Sequence, residues 1–151
     1  MMSSNIRRFE WTATGLTLNA TIPRRATELS ACYDLYPLSS GHIYPNETVK
    51  IPTGIKVHMP SNEIFVISMR SSLAFRGLTM PNAPGIIDSD YYNNPDNEGE
   101  ISLLIHNGSP KLFEFDRETR LCQGMFIEYK KVDDDVPLTS MRSGGFGSTG
   151  V

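Results

Sequence analysis

The feature that most limits the fold of this chain is how soon each apolar run is stopped. Thr48 to Met59 alternates around a Pro-Thr-Gly turn, and Glu63 to Met69 (EIFVISM) is a short apolar run. Ile101 to His106 and Leu121 to Lys130 are two more. Between and around them stand Pro37, Gly41, Pro45, Pro60-Ser61-Asn62, Pro84-Gly85 and Asn107-Gly108. Strands this short, with turns this frequent, predict an all-β barrel or sandwich. No 3.6-residue apolar period lasts beyond a turn or two of helix, near Ser71 to Phe75. There is no internal repeat and no heptad pattern.

Composition then narrows the function. A net charge of −3 over 151 residues supplies no field for unspecific binding to nucleic acid. No stretch has the apolar length of a membrane span or a signal peptide core. Cys32 and Cys122 are far apart and form no C-x-x-C pair, and His42, His58 and His106 have no ligand spacing. A reduced cytoplasmic protein without a zinc site is expected. Asp133-Asp134-Asp135 reads as a solvated run. After Pro137 the character changes: Arg142 to Val151 (RSGGFGSTGV) has four glycines and almost nothing to bury. A division is therefore expected between a β domain over residues 1–136 and a flexible arm over residues 137–151. The arm lacks the lysine and the helix of a Walker loop.

Residues 85–100 (GIIDSDYYNNPDNEGE) look at first like a calcium loop. Counting from Asp88, the sixth position is Asn93 instead of glycine and the twelfth is Gly99 instead of glutamate. The flanks, Ile86-Ile87 and Ile101 to Ile105, are strand-like and not helical, so an EF-hand is excluded.

Five stretches, in this order, carry a more specific signal: SACYDLYP (30–37), MRSSLA (69–74), PNAPGIIDSDY (81–91), TRLCQGMF (119–126) and GGFGSTG (144–150). Each alone has a plain explanation, such as a turn aspartate, a helix cap at Arg70-Ser71-Ser72, or a polar strand residue at Gln123. Together they resemble the five motifs of the trimeric dUTPase family, over about Ala26 to Gly150. The resemblance implies a jelly-roll-like β-barrel, a homotrimer with active sites at subunit interfaces, and Mg²⁺-assisted hydrolysis of dUTP to dUMP and pyrophosphate. Such an activity limits dUTP and supplies dUMP for thymidylate synthesis.

The same resemblance assigns roles. Asp88 matches the catalytic aspartate: a carboxylate, ionised at neutral pH, that orients the water attacking the α-phosphorus. Asp90 is expected to hold the hairpin or a subunit contact and not to share that job. Tyr91 matches the sugar gate, a rigid ring that leaves no room for a ribose 2′-OH. Asn82 matches the amide that reads uracil, with the backbone of Ile87 and of the returning strand near Ser102 completing the base site. Arg70, Ser71, Ser72 and Gln123 match phosphate contacts. Asp34 matches the carboxylate that holds Mg²⁺ through a water. In the arm, Phe146 would stack on uracil, while Arg142, Gly147, Ser148 and Thr149 would close on the γ-phosphate.

The chain departs from the pattern in several places. The fourth motif reads Glu118-Thr119-Arg120 where Gly-Asp-Arg is usual, Arg142 stands one residue nearer Phe146, and Cys32 replaces a glycine. Residues 92–98 lengthen the connection between Tyr91 and Gly99-Glu100 and read as an exposed hairpin extension, or else as a contact for another subunit or partner. Two alternatives follow. A dCTP deaminase, or a bifunctional deaminase–diphosphatase of the same fold, shares RSSLA and would need Glu98 or Glu100. A dUTP-switched regulatory binding protein would need a protein partner that no residue here identifies.

Overall fold

The computed structural model describes residues 6–142 and Gly144. Among them are twelve strands, every ladder antiparallel, with two helices of about one turn. A five-stranded sheet runs β2 (Arg24–Arg25), β3 (Tyr33–Leu35), β12 (Cys122–Glu128), β7 (Glu63–Met69) and β9 (Gly85–Asp88). A three-stranded sheet runs β5 (Thr48–Pro52), β10 (Ser102–Asn107) and β8 (Leu78–Thr79). Two ladders complete the set: β1 (Arg8–Trp11) with β6 (Ile55–His58), and β4 (Gly41–Ile43) with β11 (Phe113–Phe115). The all-β expectation and its strand-rich stretches are found. No helix among the described residues is long and apolar enough to cross a membrane.

Alternation builds the core. Phe65 and Ile67 of β7, Leu103 and Ile105 of β10, Leu35 of β3 and Phe113 of β11 point inward into one cluster joining the sheets. Each such side chain contributes roughly 1.5–3 kcal/mol when fully buried. Phe9 of β1 closes one side, meeting the rings of Tyr33 and Phe65 edge to face at centroid distances of 5.2 and 5.5 Å. Gly124 is required there: a Cβ at that position would lie 2.3 Å from the Phe65 ring, which crosses β12 at the gap.

Two connections are corners and not hairpins. The Pro-Thr-Gly turn leads from β5 to β6, which lie in different sheets. Gly54 turns it with φ +71°, under α1 (Ala13–Thr17), where a Cβ on Gly15 would lie 1.9 Å from the Gly54 carbonyl oxygen. Sequence periodicity misses α1 because five residues are too few to show a repeat; its local signal is Thr12, whose hydroxyl accepts from Gly15 N at 3.0 Å. The second corner spans residues 88–101: β9 pairs with β7, whereas β10 pairs with β5 and β8. The returning strand at Ser102 therefore pairs with Pro52 and not with β9. The expected turn of helix near Ser71 is α2 (Ser71–Ala74), but it has no side-chain cap.

Both cysteines are free. Burial pushes the Cys122 thiol up to about 12 from its ordinary 9.0. The folded state thus keeps protonated a group that the unfolded chain would ionise. That contribution to stability is intact below the ordinary value and is lost as pH rises through the window toward the folded one. Cys32, raised by burial and then by Asp34, remains partly exposed. At about pH 8, iodoacetamide followed by peptide mass mapping should label Cys32 in the folded protein, with Cys122 reacting only after unfolding.

Candidate active site

The β12 register assembles the first half of the site. Gln123 lies opposite both Asp34 on β3 and Ser68 on β7, and the chain leaves β7 directly into Arg70. Asp34 is buried, and its carboxylate is bracketed: Arg70 Nε forms an ion pair with Oδ1 at 3.2 Å, and Arg120 Nη1 donates to Oδ2 at 3.4 Å. Asp34, Arg70 and Gln123 line a cleft of about 340 Å³ with Cys32 and Ser30. Ser71 and Ser72 follow, exposed, at the start of α2. Two guanidinium groups against one carboxylate leave a net positive cluster beside a cleft that Ser30 and Gln123 also line, which suits phosphate. Arg120, noted in the sequence only as the survivor of an altered motif, proves to be a direct partner of Asp34.

The donor set also bears on a metal. Among the described residues no three His, Cys, Asp or Glu side chains converge as a ligand set. Asp34, with an arginine on each oxygen, has acceptor capacity left for a water rather than the open face of a direct ligand. This fits a magnesium ion coordinated mainly by substrate phosphates and water.

The second half lies at the other end of the sheet. Asp88 ends β9 with its side chain half exposed, and a 3₁₀ turn over Ser89–Tyr91 follows. Arg142 Nη2 donates to Asp88 Oδ2 at 2.6 Å and its Nε donates to Asp90 Oδ1 at 2.7 Å. The turn folds Asp90 back beside Asp88, and one guanidinium spans both. Arg142 stands on the candidate base. Asn82 is exposed in the turn before β9, and Ile87 is half-buried on β9 opposite Phe65. Phe146, Gly147, Ser148 and Thr149 lie outside the described residues.

Tyr91 is buried, 7% exposed. Its hydroxyl donates to the Glu100 carbonyl at 3.1 Å and accepts from Asn97 Nδ2 at 2.7 Å. Burial pushes the phenol up, against the Asn97 bond that draws it down, so it stays a donor. Residues 92–98 are exposed at Asn93, Pro95, Asp96 and Glu98, as expected from their composition, but they cross between sheets instead of extending a hairpin. Asn94 is buried, and the Tyr92 hydroxyl donates to Glu10 Oε2 at 2.6 Å. Glu98 accepts from Ala13 N at 3.2 Å and Glu100 from Gly54 N at 2.9 Å. Both glutamates border a separate cleft of about 390 Å³ with Thr12 and Leu38, away from Asp88. Several polar groups of the segment find partners on its own and neighbouring backbone, while Asn94 Nδ2 is buried without a hydrogen-bond partner.

One chain does not bring the two halves together. Asp34 and Asp88 stand three strand spacings apart across β3, β12, β7 and β9, and their β7 partners Ser68 and Ile64 are four residues apart. At about 4.8 Å per strand and about 3.3 Å per residue, the separation is roughly 20 Å.

Comparison with known proteins places these residues in context. A family model described as dUTPase matches residues 18–150. The deoxyuridine 5'-triphosphate nucleotidohydrolase of Lactococcus lactis subsp. lactis is 38% identical over 147 residues, covering 96% of this chain and 98% of its own. The protein of the same name from Nautilia profundicola is 36% identical over 140 residues, covering 89% and 94%. Among solved structures, the dUTPase of Streptococcus mutans matches with a TM-score of 0.76 at 33% identity, over 83% of this chain and 98% of its own. The dUTPase of phage phi11 of S. aureus shares the fold, with a TM-score of 0.68 at 15% identity over 90% and 99%.

The two ion-pair clusters should respond differently to mutation. Arg142→Ala removes a partner from two half-exposed carboxylates and should shift the melting temperature by less than about 3 °C. Asp34→Ala leaves two guanidinium groups facing each other around a buried position and should lower it by roughly 3–10 °C. Thermal melts of both variants without nucleotide check the ranking.

Proposed function

This chain belongs to the dUTPase family, and on that premise we propose that it hydrolyses dUTP to dUMP and pyrophosphate with Asp88 activating the attacking water. The observation that carries the assignment is the net positive cluster of Asp34, Arg70 and Arg120 beside the cleft that Asp34, Arg70 and Gln123 line, a chemistry suited to phosphates. Asp88 stands half exposed at a strand end, where a water can reach it and give up its proton in the attack on the α-phosphorus. Arg70, Ser71, Ser72 and Gln123 hold the phosphates and stabilise charge on the departing pyrophosphate. Asn82 and the backbone of Ile87 and Ser102 bind uracil, and Tyr91 packs against the deoxyribose. Arg142 exchanges Asp88 and Asp90 for the γ-phosphate as dUTP enters. Residues 137–151 act as an arm over the barrel of residues 1–136, with Phe146 on the base and Gly147, Ser148 and Thr149 on the phosphates.

Asp34 would hold a magnesium ion through a water, and the ion, bound across the phosphates, would offset their charge and align them. A variant of the phage phi11 dUTPase coordinates a structural Mg(II) ion, which is a property of that protein. The two free cysteines accord with a cytoplasmic enzyme. Dispensing with dUTP and furnishing dUMP for thymidylate synthesis is its place in nucleotide metabolism.

The roughly 20 Å between Asp34 and Asp88 within one chain supports a homotrimer in which Asp88 of one copy faces the phosphate pocket of another. No substrate could place its α-phosphorus beside both residues of a single chain. Glu98 and Glu100, engaged on Ala13 and Gly54, are poorly disposed to act as a deaminase base.

A panel of dUTP, dTTP, dCTP and UTP with pyrophosphate detection should show turnover of dUTP alone; deamination of dCTP would overturn the reading. Asp88→Asn should lower kcat by about 10²–10⁴-fold while dUTP still binds. Assembly has its own test. Equimolar Asp88→Asn and Arg70→Ala proteins, each inactive, should regain activity after unfolding and refolding together, because mixed trimers contain sites with both native residues. No recovery despite mixed assemblies, seen by native mass spectrometry at three times the 16.8 kDa chain mass, means both residues act within one chain.

A further inference from the structure

Residues 92–98, between Tyr91 and Gly99, do more than connect two sheets. The phenol oxygen of Tyr91 has both its hydrogen-bonding positions filled, as donor to the Glu100 carbonyl and as acceptor from Asn97 Nδ2. Asn97 is fixed in turn, since its Oδ1 accepts from Gly99 N at 3.0 Å. The backbone around it is closed by Asn94 N to the Tyr91 carbonyl at 3.1 Å, Glu98 N to Asn94 O at 2.8 Å and Asn93 N to Glu98 O at 3.0 Å. Gly99 takes φ +81°, and a Cβ there would lie 2.2 Å from the Tyr91 carbonyl oxygen, so this closure needs glycine. The outer side is anchored on β1 and β6. The Tyr92 hydroxyl is bonded to Glu10, the Tyr92 ring lies 5.2 Å from Lys56 Nζ, and that ammonium donates to Asn93 Oδ1 at 2.7 Å.

We propose that Asn97 is a positioning residue for sugar selection: anchored in this segment, it holds the Tyr91 ring where a ribose 2′-hydroxyl cannot fit. The proposal rests on the reading of Tyr91 as the sugar gate. Exclusion by a ring works only while the ring cannot retreat, and a displacement of about 1 Å is enough to change reactivity strongly. The Glu100 carbonyl alone fixes the phenol oxygen from one direction; the amide of Asn97 supplies the second. The sequence signal is the asparagine two residues before Gly99, within a segment the family pattern does not contain.

The test compares kcat/KM for dUTP and UTP, by pyrophosphate release, in the full-length protein. Asn97→Ala should raise the UTP value about tenfold while the dUTP value changes by less than about threefold, a hydrogen bond being worth up to about that factor. Tyr91→Phe, which keeps the ring and the Asn97–Gly99 bond but removes the bonds to both Asn97 and the Glu100 carbonyl, should give at least the same rise. The double variant should add little to Tyr91→Phe, which already lacks the Asn97 bond. If Asn97→Ala fails to fold, Tyr91→Phe alone decides the matter, and wild-type discrimination in that variant overturns the brace. An Asn97→Ala protein that loses dUTP and UTP turnover equally has lost structure and not selectivity, which also overturns it. Tyr91→Ala separates the two ideas. If it leaves discrimination unchanged, the sugar-gate reading itself fails; if it abolishes discrimination while Asn97→Ala and Tyr91→Phe do not, only the brace fails.

Discussion

The seven residue pairs between β7 and β12, from Cys122 opposite Met69 to Glu128 opposite Glu63, set the position of nearly everything the site uses. β3 is added on one side of this ladder and β9 on the other, so Asp34 and Asp88 hang from opposite flanks of one register. A slip of β7 by one residue in this ladder would turn Phe65 and Ile67 away from the core and move Ser68 off Gln123 together. Gly124 protects against that, because the Phe65 ring lies across β12 only where no Cβ stands. Packing and chemistry are thus held by the same pairing.

The two halves of the site are electrostatic opposites. At Asp34 one carboxylate lies between two guanidinium groups, a local balance of 2 − 1 = +1. At Asp88 and Asp90 two carboxylates share one guanidinium, a balance of 1 − 2 = −1. A phosphate is attracted to the first arrangement. The second holds the carboxylate that the proposed reaction needs as a base. Each half is incomplete for hydrolysis alone, and roughly 20 Å of sheet separates them in one chain. The repeat of the chain in an assembly is the simplest way to bring them face to face.

Residues 88–101 show why an acidic, amide-rich stretch need not bind a metal. Its side chains are taken up by backbone: Asn97 on Gly99, Asn94 on Asp96, Glu98 on Ala13 and Glu100 on Gly54. A chain crossing from one sheet to another leaves backbone groups without a ladder partner, and short polar side chains supply the missing partners. The crossing also places the buried Tyr91 three residues after the exposed Asp88.

Strand character, the short helical turn at Ser71 and the residue types of the site were all legible in the chain. They depend on local alternation, turn chemistry and five short motifs, which are properties of neighbours in sequence. Asp34, Arg70 and Gln123 could be named from those motifs alone. What linear order could not supply was decided by strand pairing. It made corners, not hairpins, of the turn at Pro52 to Gly54 and of residues 88–101. It joined Arg120 to Asp34 across 86 positions, set one arginine on both Asp88 and Asp90, and tied Asn97 to Tyr91. The reason is physical: composition tells which groups need partners, but only the register of the sheets decides which groups come within reach.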